Sequence, residues 1–159
     1  MFPARGAAAA LGERVFYSND VSRMAGISLR QLQWWDERKV VTPRKEDHRR
    51  IYAPPQVLEV LIVASLRRKG LSLQKIRRVL RLLRRELASL QGKTWEPGSR
   101  LYILTDGQSL HLEAHPERAL KTLTAATRAM HVVSLSDQMK RLASAKAPRR
   151  YLTKQLPLF

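Results

Sequence analysis

No cysteine occurs in the sequence, which excludes disulfides, thiolate metal sites and thiol redox switches. The four histidines, at 48, 111, 115 and 131, show no metal-ligand spacing, so no metal site is expected. No apolar run approaches the roughly 20 residues that a bilayer-spanning helix needs. The opening MFPARGAAAALGER is too short and weakly apolar for a secretory signal, and residues 1–14 are read as a disordered lead-in. There is no nucleophile elbow and no glycine-rich phosphate loop, and the carboxylates are scattered. Catalytic residues and cofactors are therefore expected to be absent, and an enzyme is the least favoured class. Acidic residues are scarce: 13 face 30 lysines and arginines, giving a formal charge of +17 and a pI near 11.3. That imbalance repels itself unless an anionic partner neutralises it, and nucleic acid is the leading candidate.

What is present is mostly helical. Ser18 reads as the cap of a short helix with Val21, Met24 and Ala25 in phase, stopped at Gly26. Ser28 caps a second, LRQLQWWDERK, in which Leu32 and Trp35 share a face while Arg30, Gln31, Gln33 and Trp34 take others. Helix, glycine-centred turn, helix is the helix-turn-helix pattern. VVTPRKEDHRRIY, residues 40–52, predicts two short strands around a basic loop, a wing. Pro54 and Pro55 open a third helix that carries Val57, Leu58, Leu61, Ile62 and Leu66 and ends at Gly70. Ser72 caps a fourth, with a seam of Leu73, Ile76, Val79, Leu80, Leu83 and Leu87 among six basic residues between Lys75 and Arg85. Those charges are read as a solvated face.

After KTWEPGS, LYILTDGQSLHLE predicts a hairpin around Asp106-Gly107. Pairing Thr105 with Gln108 puts Leu101, Ile103, Leu110 and Leu112 on one face, and His111 across from Tyr102. PERALKTLTAATRA is expected as a helix, MHVVSL as a strand and SDQMKRLAS as a last helix. The predicted fold is mainly α with small β. Residues 15–91 form a winged helix-turn-helix domain, residues 95–144 a small α/β module for dimerisation or protein contact, and residues 145–159 a flexible basic tail.

Residues 16–90 resemble the winged helix-turn-helix domain of MerR-type transcriptional regulators. FYSNDVSRMAGIS, LQWWDERKVVTPR, RIY and LRRKGLSLQKIRRVL match its anchors in order. The resemblance implies a second helix in the major groove, a wing on the flanking backbone, and a dimer that grips two half-sites and distorts the DNA between them. Arg30, Gln31 and Gln33 become candidates for base edges, since Arg pairs with guanine and Gln with adenine through two hydrogen bonds. Ser28 belongs to the same contact set. Arg44, Lys45, Arg49, Arg50 and Tyr52 become candidates for phosphate contact. Gln33 replaces an arginine common in the family, and His48 stands where glycine is frequent. Trp35, in phase with Leu32, is expected in the core. For Trp34 two readings stay open, a ring resting on sugar-phosphate or one packed within the domain. Typical members continue with a long dimerising helix and an effector domain, whereas here a turn at Gly92 and a hairpin follow.

The last five residues, Gln155-Leu156-Pro157-Leu158-Phe159, resemble the pentapeptide with which bacterial proteins dock on the β sliding clamp. Gln155, Leu156, Leu158 and Phe159 are the matching positions. The alternative is that the tail folds back over its own chain. Three functions follow: a cytoplasmic, nucleoid-associated transcriptional regulator on double-stranded DNA, expected as a homodimer and without cysteine-based sensing; a DNA-bound adaptor recruiting a protein partner through QLPLF; and an antitoxin-like autorepressor. The first leads.

Overall fold

The computed structural model describes residues 14–89 and 100–145. The expected lead-in, the expected boundary between the two parts and the QLPLF tail with Gln155, Leu156, Leu158 and Phe159 lie outside the described residues. Twelve elements are seen among the described residues: β1 Phe16–Tyr17, α1 Ser18–Ala25, α2 Leu29–Glu37, β2 Arg44–Glu46, β3 Arg49–Tyr52, α3 Pro54–Arg68, α4 Leu73–Ser89, β4 Tyr102–Thr105, β5 Leu110–Glu113, α5 Pro116–Ala125, β6 His131–Ser134 and α6 Leu135–Ser144. The fold is mainly α with small antiparallel sheets, a helix-turn-helix followed by an α/β region.

The helix boundaries follow local chemistry. Tyr17, not Ser18, precedes the first helical residue, and Asp20 reaches back to accept the Tyr17 backbone N–H at 3.1 Å. Gly26, at φ 66°, closes α1: its own N–H reaches Arg23 and the Ile27 N–H reaches Ser22. Ser28 caps α2 as expected, its hydroxyl accepting the Gln31 N–H at 3.0 Å. Helix α2 ends two residues before Lys39. The Lys39 N–H bonds Asp36 and the Val40 N–H bonds Trp35, with Lys39 itself left-handed at φ 56°.

Two three-stranded sheets flank this scaffold. The first has order β1-β3-β2, with Phe16 opposite Tyr52 and Lys45 opposite Arg50. The two-residue strand β1 has no sequence signal, because it exists only through pairing with β3. The wing tip is a two-residue turn between Glu46 and Arg49, with Asp47 at φ 50° and His48 at φ 64°. Such turns demand a left-handed backbone, and His48 meets the demand without being glycine.

The second sheet has order β5-β4-β6. Thr105 pairs with Leu110 and Ile103 with Leu112, so the hairpin register differs by two residues from the expected one. His111 therefore lies opposite Leu104, not Tyr102. The cause is the Asp106 carboxylate, which accepts the backbone N–H groups of Gln108 (2.8 Å) and Ser109 (2.7 Å) and so builds a longer loop than Asp106-Gly107 alone. A two-residue shift preserves facing, and Leu110 and Leu112 still pack on the core.

Helix α3 is the centre of the molecule. Val57, Leu58, Val60, Leu61, Ile62, Val63, Ala64 and Leu66 are all buried, so the helix is apolar around most of its circumference rather than along one stripe. It packs against α1 and α4 and also against α6 and β6. One apolar cluster thus contains Phe16, Leu32 and Trp35 from the first part and Ile103, Val133, Leu135 and Leu142 from the second. Arginines tie off helix ends: Arg68 donates to the Ala25 carbonyl at 3.0 Å, Arg141 to the Met24 carbonyl, and Arg14 to the Ala143 and Ala145 carbonyls at 3.3 Å.

Replacing the wing tip by Asp47→Asn with His48→Gly should stabilise the fold by about 1 kcal/mol, since Asn-Gly suits a left-handed pair. Thermal denaturation should show a rise of a few degrees. Asp106 is held down to about 2, first by the Ser109 backbone N–H. A carboxylate lowered in the folded state stabilises above its unfolded value near 4 and ceases to do so as pH falls towards 2. Hydrogen exchange at Gln108 and Ser109 should accelerate across that window, and Asp106→Asn should remove the pH dependence.

Candidate nucleic-acid interface

Helix α2 presents two unlike faces. Leu32 and Trp35 sink into the core, with Trp35 fully buried, while Trp34 on the adjacent face is 39% exposed. The two neighbouring tryptophans therefore do different jobs, as the 100° step of a helix requires. Ser28, Arg30, Gln31, Gln33, Trp34 and Glu37 line one open groove along the outward face. Five of the six are residues singled out from the sequence. The segment from 28 to 39 is thus not walled in by the rest of the fold.

Two residues that sequence reasoning missed shape this face. Glu37 accepts a hydrogen bond from the Gln33 amide at 2.9 Å, one helical turn away. It places a carboxylate among donors and orients the Gln33 side chain. Arg38 stacks its guanidinium over the Trp34 ring at 5.3 Å from the centroid, again four residues on. The i, i+4 spacing was legible in both cases, but pairs of this kind are too common on exposed helices to mark a site.

The wing residues divide. Arg44, Lys45 and Arg49 are exposed on the hairpin. Arg44 also approaches Glu46 at 3.4 Å, and Arg49 lies over the Tyr17 ring at 5.7 Å. Arg50 does not stand free: its Nε donates to Asp36 Oδ2 at 2.6 Å, and Asp36 is only 8% exposed. Strand alternation puts Tyr52 on the same side as Arg50, and Tyr52 is fully buried. The expected phosphate contact by Tyr52 is corrected accordingly, because a side chain sealed in the core has no path to a phosphate in this conformation. Arg50 and Tyr52 instead fasten the wing to α2, which carries Asp36.

Burial, and secondly the Asp36 carboxylate, push the Tyr52 hydroxyl up to about 12. The Ser18 side chain is near enough to oppose that rise a little, yet the hydroxyl closes no hydrogen bond of ordinary geometry. The Trp35 indole N–H is likewise buried without a partner. On the far side of α2, Trp34 and Arg38 meet Leu73, Gln74 and Arg77 of α4 in a second groove.

Strand, helix, glycine turn, capped helix with an open polar face, and a basic hairpin clamped to that helix define a winged helix-turn-helix, a DNA-binding class. Residues 16–83 match the family model for the MerR HTH family regulatory protein, so this segment is of the MerR type. No curated protein matches the chain. The family is one of DNA-binding transcription regulators, and the match covers residues 16–83 of the 159 in the chain.

Tyr52→Phe should leave DNA affinity unchanged, whereas a phosphate ligand would lose about tenfold or more. The folded state favours the protonated hydroxyl, so its contribution holds below the unfolded value near pH 10 and is lost as pH rises towards 12. Alkaline melts should show that loss in the native chain and less of it in the variant. Asp36→Asn should cost about 1 to 3 kcal/mol, through the charged hydrogen bond to Arg50, and should weaken DNA binding. Denaturant titration and duplex binding measure the two effects separately.

Proposed function

We propose that the protein is a sequence-specific regulator of double-stranded DNA, which lays α2 in the major groove and sets the wing along the adjacent backbone. The observation that carries this reading is the open face of α2. Arg30, Gln31 and Gln33 are the base-reading set, Ser28 and Trp34 border it, and Arg44, Lys45 and Arg49 supply cations for phosphates. Arg50 contributes by fixing the wing. A solvent-exposed helix face this rich in forked donors, on a chain of charge +17, suits a polyanion better than an apolar ligand.

In this reading residues 15–91 are the DNA-binding unit and residues 95–144 serve dimerisation or protein contact. The inner side of that second part is already committed to α3, so its outer side is the available one. Helix α5 lies there, with Ala119 alone buried among its residues and Leu120 62% exposed. A homodimer pairing such surfaces would read two half-sites. The place of action is the bacterial nucleoid, and regulation proceeds without thiol chemistry, for want of cysteine. Among the described residues no helix is long and apolar enough to cross a membrane.

Selection of bound sequences from a random duplex pool, followed by affinity measured against salt, tests the reading. Log affinity should fall several units per decade of salt, about 0.9 for each phosphate neutralised. Arg30→Ala and Gln31→Ala should each cost about 1 to 3 kcal/mol and relax preference at one base, while Lys45→Ala should weaken all sequences alike. Affinity insensitive to salt would remove the claim. Sedimentation at several concentrations should find a dimer.

A further inference from the structure

The groove along α2 does not end at the helix. Trp34 lines it, and Trp34 also lines the second groove, whose other walls are Arg38 on the α2 side and Leu73, Gln74 and Arg77 on α4. One continuous surface therefore runs from the candidate base-reading face, across the Arg38–Trp34 stack, to the first turns of α4. There Ile76, Val79, Leu80, Leu83 and Leu87 face inward and are buried. Gln74, Arg78, Arg81 and Arg85 fall within about 60° of one another on the opposite side, by the 100° step of the helix. All four are exposed. Of the cations on α4, Arg84 is committed, through a two-pronged pair with Glu59 at 2.8 and 2.9 Å. The outward row is cationic, and Glu86 is the single carboxylate in the helix.

We propose that bound DNA extends past the recognition helix onto this outward face of α4, with Arg78, Arg81 and Arg85 neutralising phosphates beyond the segment that α2 reads. The proposal rests on the DNA-binding reading above and assigns it a second contact surface. Gln74 to Arg85 covers 11 residues, about 16 Å at 1.5 Å each. Duplex rises 3.4 Å per base pair, so the row matches roughly five base pairs of backbone. Guanidinium groups suit phosphate oxygens, which they grip with two parallel hydrogen bonds. Such contacts carry no base information, so the surface lengthens the footprint and raises affinity for any sequence.

The test compares Arg78→Gln/Arg81→Gln/Arg85→Gln with a charge-matched control, Lys69→Gln/Arg100→Gln/Lys140→Gln, whose positions lie off α4 and α5 and are also exposed. Both are assayed on a duplex of about 40 base pairs over a salt series, beside the native chain. The α4 variant should keep its melting temperature and its ranking of sequences. Its log–log salt slope should shrink by about 2 to 3 units, at 0.9 per lost contact, and its hydroxyl-radical footprint should shorten at one end. Arg→Lys at the same three positions should restore most of the slope. Equal slopes in the α4 variant and the control would overturn the proposal by reducing the effect to net charge. Loss of affinity for single-stranded RNA with duplex binding intact would overturn it in favour of RNA. If the native chain itself bound duplex with no salt dependence, the DNA-binding reading would fall first, and that outcome is distinct from both.

Discussion

An ion pair between Asp36 and Arg50 joins the two candidate DNA-contacting elements directly, beside the buried side chains of the wing and its connection. Asp36 sits at the inner edge of α2 and Arg50 on the inner side of β3, so their 2.6 Å contact ties α2 to the wing. Both charges are partly withdrawn from water, which makes either one costly without the other. Around the pair, Tyr52 and Trp35 give up the hydrogen bonds of their polar atoms to fill the space beneath. The packing thus leaves two buried polar atoms unpaired beside an ion pair that joins helix to hairpin.

The large positive charge is not one undifferentiated property. Arg14, Arg68 and Arg141 are spent on helix-terminal carbonyls, Arg84 on Glu59 and Arg50 on Asp36, and these five are structural. Arg30, Arg44, Lys45, Arg49 and the row on α4 remain directed at solvent on exposed faces. Separating the two sets explains how a chain so basic can still hold its fold. The cations that tie elements together have fixed partners, and those without one are exposed, where water screens their repulsion.

Much of this organisation was legible in the sequence because it depends on local periodicity. The helical step sorted Trp35 inward and Trp34 outward, and Ser28, Gly26 and Pro54 marked the ends they were expected to mark. What escaped was non-local. Tyr52 reads as a wing aromatic, and only pairing of β1 with β3 and the pull of Asp36 on Arg50 reveal that it faces the core. The hairpin register was misjudged because Asp106 organises its own loop through backbone donors, a preference stronger than the simple Asp-Gly turn. The two-part division of the chain was read from a change in texture after Gly92. Yet Val60 and Val63, which sit off the stripe of Leu58 and Leu61, already signalled a helix with partners on two sides.

That burial of α3 between both parts carries a consequence for how the chain comes apart. A helix shared by both halves has no seam along which they could part, so melting either half strips the cover from the other. Calorimetry of such a chain has one peak to find, because the two halves unfold around a common spine.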